Sequence, residues 1–220
     1  MSSIEIYKID KDGHSFFAQD IKNSWRGAIL VWMEMEKKYL PQYIPLILSR
    51  EIQDMFSDKS KKHSWLKKKY VDYSDFRKNI DSDDLAVLGL ENYNRCVGFD
   101  ISNMKEIWNL CDDKSVDIND RICLWTTFDF SVLKREDIPI VVNAMKHFCC
   151  KGIFDKQIKV LENLYKDTDC FAVAWNQTSV NTAYWTPCYN DCEEDEVPFN
   201  LFDEMAKNED IELFDISIFS

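Results

Sequence analysis

The residues best suited to hold a metal are His147, Cys150, Cys188 and Cys192. Two of them, three apart, fall on the polar side of one expected helix. The other two stand in a C-x3-C spacing nearer the C-terminus, and four nitrogen and sulfur ligands suit tetrahedral zinc. That spacing is unusual, and nothing in the chain requires the two pairs to meet. The expectation is therefore no metal and no cofactor, with these four as the weak candidate. A cysteine nucleophile has no better support. Cys149 and Cys150 lie beside His147, but neighbours on a helix point in different directions.

Other chemistry is excluded by what is missing. The five glycines, Gly13, Gly27, Gly89, Gly98 and Gly152, never cluster. Neither a P-loop nor a dinucleotide-binding fingerprint can be written. There is no G-x-S-x-G elbow and no kinase signature. None of the histidines, His14, His63 and His147, stands in an H-E-x-x-H or H-x-E pattern.

Three segments carry binding potential. Residues 59–78 hold eight basic and two acidic side chains. There Lys67, Lys68 and Lys69 stand next to Trp65 and Tyr70, a mixture that can track a single nucleic-acid strand. The C-terminal stretch from residue 191 holds eleven acidic groups against Lys207, with Glu193, Glu194, Asp195 and Glu196 in succession. Such a field suits a basic partner. Lastly, Trp175, Asn176, Gln177, Thr178, Ser179 and Asn181 place amides and hydroxyls at a hairpin tip. They can read a small ligand, and they are equally what an ordinary turn needs.

Net charge decides among these. The chain of 220 residues carries −12, and outside residues 59–78 the balance is more negative still. A polyanion is opposed over most of the surface, whereas a protein with a basic surface is attracted. The leading expectation is a non-enzymatic protein-binding factor of inhibitor or immunity type that docks on such a partner. The alternatives are an enzyme or small-ligand binder at the Asn176–Asn181 hairpin, and a single-strand binder using residues 59–78. Lysine outnumbers arginine 21 to 6, usage typical of AT-rich bacterial and phage genomes.

The elements that must position these groups point to α+β. Ile4–Ile9 and Ser15–Ala18 flank Asp12-Gly13, a hairpin signal. Helical periodicity runs through Trp25–Tyr39, 46–57, 102–111, 119–127, 136–150 and 155–166. The period then becomes two at Cys170–Trp175, with a return strand at Ala183–Tyr189, a short helix near 201–207 and a last strand at Ile211–Phe219. A small antiparallel sheet from N- and C-terminal strands, packed by five or six helices, follows. The expectation is one domain over 1–220, with 58–82 an exposed basic insertion or loop. The eight scattered cysteines read as reduced, and no apolar run reaches membrane-spanning length. Those features fit a soluble cytoplasmic protein.

Overall fold

The computed structural model describes residues 3–22, 27–41, 46–90, 101–128, 131–176, 188–189, 196–197, 199–207 and 211–219. In chain order they form β1 (Ser3–Asp10), β2 (Ser15–Lys22), α1 (Gly27–Tyr39), α2 (Leu46–Phe56), α3 (Tyr73–Asn79), α4 (Ser82–Val87) and α5 (Ile101–Asn109). There follow α6 (Ile118–Trp125), β3 (Ser131–Lys134), α7 (Ile138–His147), α8 (Asp155–Lys166) and β4 (Cys170–Asn176). The chain ends with β5 (Cys188–Tyr189), β6 (Glu196–Val197), α9 (Leu201–Met205) and β7 (Glu212–Leu213). The class is α+β. Among the described residues no helix is long and apolar enough to cross a membrane.

Two compact units divide the chain: residues 1–31 with 111–220, and residues 32–110. The first is built on a sheet ordered β2-β1-β4-β3-β7. Its first four strands pair antiparallel, and β7 adds in parallel to β3. Strand alternation gives the sheet two apolar faces. Trp175 turns to one of them, where its ring meets Trp125 of α6 edge-on at 6.4 Å and its Nε1 donates to Gln157 of α8 at 3.2 Å. On the other, Tyr7, Ile9, Val132, Ala172 and Ala174 pack under Phe199, Leu201 and Ile211. The register slips between Ile9 and Asp10, opposite Phe171, whose ring packs on Phe202 of α9.

The β1–β2 turn is fastened to α9. Asn200 caps the helix by accepting from the backbone N–H groups of Phe202 and Asp203, and its Nδ2 donates to the Asp12 carbonyl at 2.8 Å. Gly13 has φ +89°, and a Cβ there would stand 2.7 Å from Asn200 Oδ1 and 2.8 Å from Phe202. Gly13→Ala therefore combines backbone strain with a clash. It is expected to destabilise by about 2–3 kcal/mol in denaturant titrations. A variant as stable as the parent would show that the turn is not locked in this way.

The second unit gathers Ile52, Met55, Leu66, Tyr70, Phe76, Ile80, Leu85 and Leu90 into one core. Its short helices start on acidic caps. Asp72 accepts from the Asp75 N–H and Asp81 from the Asp84 N–H, satisfying donors that a helix start leaves free.

Several elements differ from expectation. β3 carries no alternation long enough to read, since only Ser131–Lys134 extend before α7. The expected last strand is only two residues long. Asp215 then accepts from the Ser217 N–H, and residues Ile216–Phe219 form a 3-10 turn that stacks Phe219 on Phe214. β4 pairs with β1 and β3, while Cys188–Tyr189 pairs with Glu196–Val197. Residues 183–187 of the expected return strand lie outside the described residues. So do Trp25 and Arg26.

Candidate functional site

The basic segment is woven into the core of the second unit. Residues Ser64–Lys68 form a 3-10 turn that buries Leu66. Tyr70 is buried and meets Phe76 edge-on at 5.3 Å, Tyr73 stacks on Phe76, and Trp65 is half-buried against the same cluster. A base-stacking platform needs open ring faces. Tyr70 and Phe76 offer none.

Three of the segment's lysines pair with acids of their own unit. Lys62 pairs with Glu51, Lys67 with Asp58, and Lys69 with Asp84 at 2.8 Å and Asp81 at 3.3 Å. His63 adds a 3.3 Å contact to Glu51. Burial pushes the Glu51 carboxyl up, but the hydrogen bonds from Lys62 and His63 outweigh it and hold the group below its ordinary value. Lys69 is held above its ordinary value, chiefly by its hydrogen bond to Asp84. Lys68 is exposed. The segment that reads as an exposed basic insertion over 58–82 thus contributes buried side chains and internal ion pairs.

Asp84 is the hub. It is 3% exposed, accepts from Tyr70 Oη at 2.7 Å, and shares Lys69 with Asp81. Tyr70 Oη in turn accepts from the Asp81 N–H at 3.1 Å. Burial first, then the bond to Asp84, pushes the Tyr70 hydroxyl up to about 12 from 10.0. Below pH 10 the phenol is protonated in folded and unfolded chains alike, and its stabilisation is present in full. As pH rises through 10 to about 12 the unfolded phenol ionises first, so stability falls by up to about 2 kcal/mol. Comparing alkaline unfolding of the parent with that of Tyr70→Phe isolates this loss. Parallel curves across the window would dismiss it.

Charge is segregated between the units. Residues 32–110 hold thirteen basic and thirteen acidic side chains; the rest of the chain holds fourteen basic against twenty-six acidic. The whole net charge of −12 therefore belongs to the first unit. There Lys8 bridges Asp167 at 2.9 Å and Asp169 at 3.0 Å, while Asp12, Asp112, Asp117, Glu136 and Asp203 are exposed. Glu193, Glu194 and Asp195 lie outside the described residues; Glu196 belongs to β6, and its side chain is likewise outside them.

At the end of β4, Trp175 is fully buried and faces the helices rather than solvent. Asn176 is also buried, and its Nδ2 donates to Glu5 Oε2 at 3.2 Å, the same oxygen that accepts from Tyr7 Oη at 2.9 Å. Burial, reinforced by Glu5, keeps the Tyr7 hydroxyl protonated well above its ordinary range. Gln177, Thr178, Ser179 and Asn181 lie outside the described residues.

Two of the described thiols, Cys123 and Cys170, are held protonated by burial, while Cys149 is exposed. Cys111, Cys123 and Cys170 are buried and form no disulfide; burial raises Cys123 well above the ordinary value and Cys170 to about 11. A protonated thiol is neither nucleophile nor ligand. His147 bonds the Asn143 carbonyl through Nδ1 at 2.8 Å, and Cys150 is half-buried. The side chain of Cys188 and all of Cys192 lie outside the described residues. Among those described, three ligand-type side chains converge only at Asp10, Asp12 and His14, within 4.8 Å of one another. There Asp10 Oδ1 already accepts from the N–H groups of Asp12 and His14, at 2.9 Å each, which is turn scaffolding.

Sequence reasoning places a strand at Ser15–Ala18 but singles out none of its residues as a surface. Phe16 and Phe17 are 52% and 59% exposed on the outermost strand of the sheet. Their adjacency in an alternating strand is the signal that was available, since two neighbouring aromatics point to opposite faces of the sheet. No protein-family model matches the chain, and no curated protein or solved structure is significantly similar to it.

Proposed function

We propose that the protein is a non-enzymatic binding factor that docks on a basic protein partner through the acidic unit formed by residues 1–31 and 111–220. The observation that carries this reading is the charge segregation. The lysine-rich segment belongs to a unit of zero net charge, so it leaves the −12 of the other unit undiluted. Complementary fields steer association and suppress polyanionic competitors. An inhibitor or immunity-type factor that covers the cationic groove of a nucleic-acid enzyme needs this distribution and no catalytic group of its own.

The test is affinity capture from a nuclease-treated native lysate, followed by a salt titration of whatever protein co-elutes in stoichiometric amount. The expected result is a basic partner whose affinity falls steeply as salt rises. A partner held equally at low and high salt, or an acidic one, would overturn the reading.

A further inference from the structure

We propose that the groove between α7 and α8 binds a small amphipathic carboxylate, an aryl or alkyl body carrying one negative head. The site goes beyond the docking reading above and does not depend on it. The groove has a volume of about 380 Å³, within the range of small-ligand sites. Helical spacing builds it. Ile138, Val142 and Lys146 recur every fourth residue on α7, and Glu162, Tyr165 and Lys166 share one face of α8. Ile138 and Val142 are buried and form an apolar floor, while Pro139 and Tyr165 are exposed beside them. Apolar side chains left open at a cleft are the part of a site that takes a ligand's body. Tyr165, 45% exposed, offers a ring to an aromatic one.

Three charged side chains line the groove, and they do not cancel. Lys146 bonds Glu162 at 2.8 Å. That bond, with a further contribution from Lys166, holds the Glu162 carboxyl below its ordinary value. Glu162 is thus neutralised by Lys146, and among the described residues Lys166 forms no ion pair of its own. Its exposed ammonium is left for a ligand, with the exposed Asn143 amide across the groove as a second donor. The neighbouring charges are already matched. In the turn before α7, Lys134 and Arg135 balance Glu136 and Asp137, and none of the four lines the groove. Arg135 donates to the Tyr165 carbonyl at 3.1 Å, which covers part of the negative end of α8. Asp167, next after Lys166, is held by Lys8 at 2.9 Å.

The hairpin of α7 and α8 is also a basic island on an acidic unit. Residues 138–166 hold five lysines against Asp155 and Glu162, a balance of +3, so the remainder of that unit carries −15. Exposed charges farther than about 8 Å are largely screened at physiological salt. The local lysines, not the distant carboxylates, therefore set which ion enters, and a cation is the disfavoured one.

The experiment uses the full chain and three ligands that share one body and differ in charge: cinnamate, cinnamamide and cinnamylammonium. Calorimetry measures affinity, and amide chemical shifts report the place. We expect cinnamate to bind with a Kd on the order of 0.1–1 mM and to move the resonances of α7 and of the second half of α8. Cinnamamide should bind about fivefold more weakly, and the ammonium more weakly still. Lys166→Gln should remove most of the preference for cinnamate while leaving the affinity for cinnamamide unchanged. Asn143→Trp, at an exposed position on the rim, should fill the groove and abolish binding. The shift map of the parent needs no variant, so the inference stays testable if that variant misfolds. No binding of cinnamate up to about 10 mM, or binding that leaves α7 and α8 unmoved, overturns the site. Equal affinity for the three ligands overturns the choice of an anion, and an undiminished preference in Lys166→Gln overturns the role of that lysine. Tighter binding of an acetylated Phe-Glu-Leu-Glu peptide makes a protein segment the occupant and also overturns the inference. None of these outcomes bears on the salt titration of a captured partner, so either reading can fail while the other stands.

Discussion

Replacing Arg121 with alanine is expected to destabilise the unit of residues 1–31 and 111–220 by about 3–5 kcal/mol. Arg121 is 3% exposed, yet its guanidinium serves three carbonyls. Nε donates to Cys111 at 2.6 Å, Nη1 to Phe219 at 3.0 Å and Nη2 to Ile218 at 3.2 Å. The same group lies 5.5 Å from the Phe219 ring. Truncation strands three acceptors, two of them in the turn that ends the described chain, and removes the ring contact that holds Phe219 inward. Lysine cannot replace it, because a single ammonium does not fork toward carbonyls on two separate segments. Arg121→Lys should therefore recover less than half of the loss. Urea titrations of both variants provide the check, and an alanine variant within about 1 kcal/mol of the parent would refute the clamp.

Trp175→Ala should cost a similar amount, about 3–5 kcal/mol, for a different reason. Here the loss is volume. Among the described residues Trp175 and Trp125 are the two largest fully buried side chains, and Trp125 also packs on Phe214 at 5.1 Å. The cavity would open between the sheet and α6, where rigid neighbours on both sides limit collapse. Trp175→Phe keeps most of the ring but leaves Gln157 Oε1 without the indole donor, so a smaller loss of about 1–2 kcal/mol is expected. Calorimetry on the pair separates packing from hydrogen bonding. Should the alanine variant melt together with the parent, this contact would not be part of the core.

How much of this was legible depended on the range of the signal. The hairpin, the helices outside residues 58–90 and the bulky strand face at Trp175 follow from local periodicity, and the structure contains them; α3 and α4 do not follow from it. The α+β class follows with them. The termination of the last strand was hidden, because an Asp215 turn and the burial of Phe219 under Arg121 are decided by partners almost a hundred residues away. The basic segment shows the same limit. Lys67, Lys69 and Tyr70 look like an interface in sequence, and only the fold brings Asp58, Asp81 and Asp84 to them. Phe16 and Phe17 fall in an expected strand, and only the fold shows that this strand is an edge on which both are exposed. Local pattern reports which residues are apolar or charged, whereas neutralisation and exposure depend on chain crossings that no window contains.

The division of the chain also dictates an order of events during synthesis. β1 pairs with β2 at once, but its other edge waits for β4, and the Glu5–Asn176 contact spans 171 residues. At ordinary elongation rates that is a delay of roughly ten to thirty seconds. Meanwhile residues 32–110 are contiguous and can complete their own core as soon as they emerge. The hairpin is thus made long before β1 finds its second partner, and it carries two open edges throughout the interval. A chaperone that shields apolar strands, acting on chains stalled before residue 170, would be the cell's remedy for this connectivity.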